Sequence, residues 1–201
     1  LRTAPARADG GEVLEETARL RIRDWTLPDA PAALAMLSRI EVVRWLGDGV
    51  PVLTRDLDEA RTKIERWRGR EDPPLGHWAL EVTDGGPLHG RVIGTVQLLR
   101  LPNGDGEIEI GWHLHPDAWG NGYAPEAATA ILRRGFEAGV EEINAVTHLD
   151  NLNSMAVCRK IGMSHLGTTD RWYDDPSQHY LITQAQWRAD HPAPRRPSPP
   201  G

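Results

Sequence analysis

Apolar and polar residues alternate most regularly between positions 107 and 115. Ile108, Ile110, Trp112 and Leu114 take one parity, Glu107, Glu109, His113 and His115 the other. A period of two predicts a half-buried strand whose side chains point to alternate faces. Pro116 ends it, because proline cannot donate to a sheet ladder. The chain then reads Trp119-Gly120-Asn121-Gly122-Tyr123-Ala124, and Pro125 opens a different period in which Ala127, Ala128, Ile131, Leu132 and Phe136 recur at helical spacing. Proline suits the first helical position, and Gly139 is a fitting stop. Gly120 and Gly122 permit positive φ and close backbone approach. A glycine turn with free N–H groups at a helix start is an anion cradle, here read as one for a pyrophosphate.

The rest of the chain is built around this unit. Leu20 and Ile22 alternate with Arg19, Arg21 and Arg23, predicting a first strand over 18–25. Asp29 caps a helix over 30–40. A loop over 44–52 contains Gly47, Gly49 and Pro51, and Thr54 caps a second helix over 55–68. Strands follow over 77–83 and 91–100, joined as a hairpin through Asp84-Gly85-Gly86-Pro87. After the central unit come a strand (142–148), a helix (151–161), a short strand (163–168), a polar loop (170–175) and a last strand (178–183). Hairpins followed by strand–helix–strand units predict an α/β mixed sheet of about seven strands flanked by about four helices. The expected organisation is a loose segment over 1–17, one domain over 18–188 and a proline-rich tail over 189–201.

Composition narrows the partners. With 201 residues, 39% hydrophobic and 26% charged, the chain has the make-up of an ordinary globular domain. A formal net charge of −6 argues against nucleic acid and is compatible with a cationic substrate such as an amine. The lone Cys158 excludes an internal disulfide, and no long apolar run is present, so a cytoplasmic location away from membranes is expected. His113 and His115 lie two apart, but no third ligand is near in sequence, and no metal is expected. A dinucleotide-binding fingerprint fails because its third glycine position is Pro125.

The element order and two blocks of residues resemble the GNAT superfamily of acyl-CoA N-acyltransferases, most closely the branch of ribosomal-protein N-terminal acetyltransferases. The first block is Glu109-Ile110-Gly111-Trp112-His113-Leu114, then Pro116, then Trp119 to Ala127. The second is Asn151, Ser154, Val157, Lys160, Gly162 and Met163. The resemblance covers residues 19–186. It implies a GNAT-type fold and acetyl-CoA as acyl-donor substrate. The backbone N–H groups of Trp119, Gly120, Asn121, Gly122, Tyr123 and Ala124 would bind its pyrophosphate. A backbone N–H of Trp112 or His113, at a bulge after Gly111, would bind the thioester carbonyl.

Acetyl transfer to an amine requires loss of the ammonium proton, a donor for the developing oxyanion and a proton for the leaving thiolate. The resemblance points to Glu109 as the base, with Glu107 second. The tyrosine acid of many superfamily members is replaced here by Cys158, which on an apolar helix face reads as a small core residue. In the branch this chain resembles, the acid is the serine of the second block, so Ser154 is the candidate. Asn151 is expected to contact the pantetheine arm or fix the strand splay, and also reads as a helix cap. Trp45, Trp67 and Trp172 fall in regions that line the acceptor cleft in relatives, and Tyr173, Asp174 and Asp175 read as a solvated loop or a contact for a cationic acceptor. The acyl pocket is expected around Leu99 and Trp112. Residues 40–68 and 169–177, poor in motif, are expected to set the acceptor. The implied activity is direct acetyl transfer in a ternary complex to a protein N-terminus or a small-molecule amine. A homodimer is compatible with it. The alternatives are a non-catalytic acyl-CoA sensor and a transferase that uses a different acyl-CoA.

Overall fold

Residues 11–69 and 73–192 are described by a computed structural model. The strands are β1 (Val13–Glu16), β2 (Leu20–Asp24), β3 (Gly76–Val82), β4 (Val92–Arg100), β5 (Ile108–Leu114), β6 (Glu142–His148), β7 (Ser164–Thr169) and β8 (Ser177–Thr183). The helices are α1 (Ala30–Leu37), α2 (Ile40–Val43), α3 (Leu57–Arg68), α4 (Tyr123–Glu137), α5 (Leu152–Lys160) and α6 (Gln184–Asp190). Together the strands form one mixed sheet in the order β1-β2-β3-β4-β5-β6-β8-β7. Every pairing is antiparallel except β5 with β6, which α4 joins as a crossover.

Both faces of the sheet are covered. On one, Ile131, Leu132 and Phe136 of α4 pack with Leu80, Leu98, Ile110 and Ile143, joined by Cys158 of α5 and Trp187 of α6. On the other, Met36 and Leu37 of α1 and Ala60 and Ile64 of α3 pack with Trp25 and Ala79. Strands buried on both sides lose the plain alternation of a half-solvated sheet; β3 is buried at six of its seven positions, Glu81 excepted. One buried polar chain crosses this second layer: Trp25 Nε1 donates to Thr95 Oγ1 at 3.2 Å, and Thr95 Oγ1 to the Trp78 carbonyl at 2.9 Å.

Several expectations are corrected. There are eight strands and six α-helices among the described residues, not about seven and about four. The added strand, β1, lies in the segment expected to be loose: it is an edge strand whose pairing with β2 is interrupted near Val13–Glu15, and so short a run carries little periodicity. The expected helix over 30–40 breaks after Leu37, where Arg39 takes an extended backbone and starts α2. An unexpected helix, α6, is capped by Thr183 and Gln186 in a reciprocal box and buries only Trp187, so its apolar pattern is weak. It extends to Asp190, into the start of the expected tail. Residues 1–10 and 193–201, which hold most of the two expected terminal segments, lie outside the described residues. Finally, α4 starts at Tyr123 with Gly122 as its N-cap, so Pro125 is its third residue and not its first.

Candidate active site

The parallel pair β5–β6 creates the opening. The two strands pair only at Ile108–Ile143 and Glu109–Asn144 and then diverge. β6 continues along β8 as far as His148–Ser177, and β5 along β4 as far as Leu114–Gly94. Asn144 holds the point of divergence: its Nδ2 donates to the Ile108 carbonyl at 3.0 Å and its Oδ1 lies 2.8 Å from His179 Nε2. Beyond it lies a cavity of roughly 640 Å³, lined by β5, β6, the glycine turn, α5 and residues of α3 and the loops beside it.

The ladder decides which β5 donors face this gap. His115 N–H bonds the Ile93 carbonyl at 2.7 Å, and Leu101 N–H bonds the Glu107 carbonyl at 2.8 Å. Hydrogen bonding alternates along an antiparallel pair, and the β4–β5 register is unbroken. Odd-numbered β5 residues therefore turn their N–H to β4, and Ile110, Trp112 and Leu114 turn theirs to the gap. Of the two donors expected for a thioester carbonyl, Trp112 faces the gap and His113 does not. The expected bulge after Gly111 is absent from this register. Gly111 instead makes room for Gln97, whose Nε2 would lie 2.8 Å from an added Cβ.

The turn presents free donors. Trp119 N–H is spent on the Pro116 carbonyl at 3.0 Å, which removes it from the expected set of backbone donors. The N–H groups of Gly120, Asn121, Gly122, Tyr123 and Ala124 have no acceptor among the described residues. Gly120 and Gly122 sit at φ 77° and 79°. Open space surrounds Gly120, so its backbone conformation, not crowding, selects glycine there. The turn is braced from outside. Arg19 donates to the Asn121 carbonyl at 2.9 Å and pairs with Glu126 at 2.7 Å, and Glu126 also accepts from Thr17 Oγ1 and Arg19 N–H. Tyr123 Oη donates to Asp84 at 2.7 Å.

Glu109 lies on β5 at the point of divergence and lines the cavity. Burial pushes its carboxyl up to about 7, against a hydrogen bond from Tyr173 Oη at 2.7 Å that stabilises the charged form. Glu107, the second candidate, is occupied by Arg171 and by Asp105 N–H, and its carboxyl is held below the usual range by backbone donors. Ser154 lines the cavity with its N–H bonded to Asn151 Oδ1 at 3.1 Å, so Asn151 is the N-cap of α5. Cys158 is fully buried, and desolvation pushes its thiol up to about 12. His113 is a neutral imidazole, driven down to about 3 by burial and by its neighbours His77 and Lys63. His115 accepts from Arg39 Nε at 3.1 Å.

Of the residues singled out in the sequence for catalysis or donor binding, all line this one cavity except Glu107, the second candidate base, and Asn121, whose carbonyl faces Arg19. Trp45 and Trp67 line it too, whereas Trp172 is buried against His179 and Leu99 does not reach the cavity. Sequence reasoning missed Asn144 and the bond from Tyr173 to Glu109. A lone asparagine between the apolar Ile143 and Ala145 was the available signal for the first; nothing in the sequence signals the second.

A splayed parallel pair, a donor-rich turn at a helix start and a half-buried carboxylate on the splayed strand thus share one cleft. Residues 19–164 match the family model described as an acetyltransferase (GNAT) domain, and the chain belongs to the GNAT acetyltransferases. It is similar to an uncharacterized N-acetyltransferase, YoaA, of Bacillus subtilis, with 31% identity over 76% of this chain and 83% of the relative. A GNAT-family acetyltransferase structure from Bacillus anthracis superposes with a TM-score of 0.69 at 24% identity, covering 86% of this chain and 98% of that one. RimL, a ribosomal-protein alpha-N-acetyltransferase solved with coenzyme A, shares the fold at a TM-score of 0.67 and 15% identity, covering 86% and 98%.

Proposed function

We propose that this enzyme transfers an acetyl group from acetyl-CoA to a primary amine by direct attack in a ternary complex. The observation that carries the reading is the Glu109 carboxyl, pushed up to about 7 beside a gap that the Trp112 N–H faces. A base poised near neutrality accepts a proton efficiently from an attacking ammonium, directly or through water. The pyrophosphate of acetyl-CoA fits the N–H groups at 120–124, where the dipole of the fifteen-residue α4 favours an anion. The pantetheine arm then enters between β5 and β6, and the thioester oxygen meets the Trp112 N–H as charge develops on it. Ser154, on the far wall of the same cavity, is the proton source assigned to the leaving thiolate. Cys158 is unsuited to a covalent acyl-enzyme, because its thiol is buried and stays protonated.

The acceptor is a small-molecule amine or a protein N-terminus. RimL, which shares the fold, is named for the second. The test is release of CoA thiol from acetyl-CoA against pooled small amines and peptides. Release is expected with at least one pool, and Glu109→Gln is expected to lower kcat by about 10²-fold or more while acetyl-CoA still binds. No release with any pool refutes the transferase reading.

A further inference from the structure

The acceptor side of the cavity carries charge that the transfer chemistry does not use. β4 and β5 turn Gln97 and His113 toward the face covered by α1 and α3, opposite the face that carries α4. α3 lies over them and sends Lys63, Arg66 and Trp67 into the lining. Trp67 stacks on His77 at 5.7 Å and lies 6.3 Å from His113, which fixes the chamber wall. Lys63 is half-buried, and neither it nor Arg66 has an ion-pair or hydrogen-bond partner among the described residues. The carboxylate one turn before Lys63, Glu59, is bound by Arg55 through its side chain and its N–H, and Lys63 adds only a weaker attraction to it. Arg66 stands in the last turn of α3, where a cation complements the helix dipole; Lys63 lies one turn earlier, four residues after Glu59. Beside them His113 is neutral, with a buried Nε2 that has no hydrogen-bond partner. A half-buried cation in a cavity wall, its nearest carboxylate already held by Arg55, is placed to receive a ligand's counter-charge.

We infer that the acceptor is a primary amine that also carries an anionic group, a carboxylate or a phosphate, which Lys63 and Arg66 receive while the amine end reaches Glu109. The inference rests on the proposed acetyl transfer and narrows its substrate. Negative groups of the chamber lie elsewhere on the lining. Asp48 accepts from Asp174 N–H at 3.2 Å, tying the α2–α3 loop to the β7–β8 loop near Tyr173 and Glu109. A dipolar acceptor is thus matched end for end: ammonium toward Glu109 and Asp48, anion toward α3. The phosphates of acetyl-CoA are a poor alternative for Lys63, since their cradle at 120–124 starts α4 on the opposite face.

Matched acceptors decide it: an amino acid against its carboxamide, an aminoalkyl phosphate against the amino alcohol, and peptides with Asp or Asn as second residue. Both kcat/KM and calorimetric affinity in the presence of CoA are read. The anionic member of at least one pair is expected to win by about tenfold or more, the scale of one hydrogen bond to a charged group. Lys63→Gln is expected to bring that ratio to about one through the acceptor's KM, and Lys63→Arg to restore it. The pairs distinguish a free small anion from an acidic residue beside a protein N-terminus. Equal or better binding of every neutral member overturns the inference while leaving the transferase reading intact. So does a Lys63→Gln effect that falls on the KM of acetyl-CoA and on all acceptors alike. If no pair turns over, transfer itself fails, and the calorimetric preference still decides the inference.

Discussion

Tyr173 Oη donates to Glu109 Oε2 at 2.7 Å, joining the β7–β8 loop to a strand 64 residues earlier in the chain. The bond reaches the half-buried carboxylate from that loop and lowers its affinity for protons, while desolvation raises it by more. Burial first, then the Glu109 charge and this same contact, raise the Tyr173 phenol well above its ordinary value, so it remains a donor throughout the working range.

Tyr173→Phe removes that donor and leaves desolvation unopposed. With Glu109 as the proposed base, the acid limb of kcat/KM is expected near pH 7 in the parent and should move upward by about one unit, roughly the worth of one charge-assisted hydrogen bond. A pH–rate profile checks it; an unmoved limb, with reduced activity at all pH values, assigns Tyr173 to packing.

Glu109 also sets a pH dependence of stability. Its folded pKa, about 7, lies above its ordinary value of 4.5, so the folded state holds the extra proton between them. Its contribution is fully present below about pH 4.5 and is lost as pH rises through 7. Glu109→Gln cannot ionise, so it should exceed the parent in stability at pH 8 by up to about 3 kcal/mol relative to their difference at pH 4. Urea melts at the two pH values measure this.

Gly122→Ala and Gly120→Ala place a Cβ at φ 79° and 77°, which costs about 1–2 kcal/mol apiece. At Gly120 no atom lies within 4 Å, so the loss there should be backbone strain alone. At Gly122 the new Cβ would approach Arg19 at 3.4 Å and disturb the brace to Glu126. Both variants should bind acetyl-CoA more weakly, Gly122→Ala more so, by calorimetry.

Asn144→Ala would leave the Ile108 carbonyl and His179 without their partner at the point of divergence. The expected loss is about 1–3 kcal/mol, the penalty of a buried polar group left unsatisfied. A lower urea midpoint at unchanged m would confirm it, and a raised KM for acetyl-CoA would show that the width of the gap depends on this side chain.

The central strand, the glycine turn and the helix after it were legible in the sequence because each depends on local chemistry: alternation over 108–114, proline at 116, and glycines at 120 and 122 where the backbone takes positive φ. Glu109 was legible only through its place in a family pattern. Its alternation with Ile108 and Ile110 describes an exposed face, and the structure covers that face with α1 and α3. The edge strand β1 and the short α6 were not legible, since neither buries enough apolar surface to impose a period.

By itself, the sequence determined most of the strands and the longer helices, and that a donor-rich turn follows β5, because backbone preference and periodicity act over a few residues. The tertiary structure decided what that turn and strand can do. Divergence of β5 from β6 turned the Trp112 N–H, not that of His113, into the gap. Burial from one side and Tyr173 from the other set the proton affinity of Glu109. Packing of α3 over His113 left the charge of Lys63 facing the cavity. Desolvation and hydrogen bonding depend on groups brought together from distant parts of the chain, so they are fixed only when the sheet and its two helical layers close.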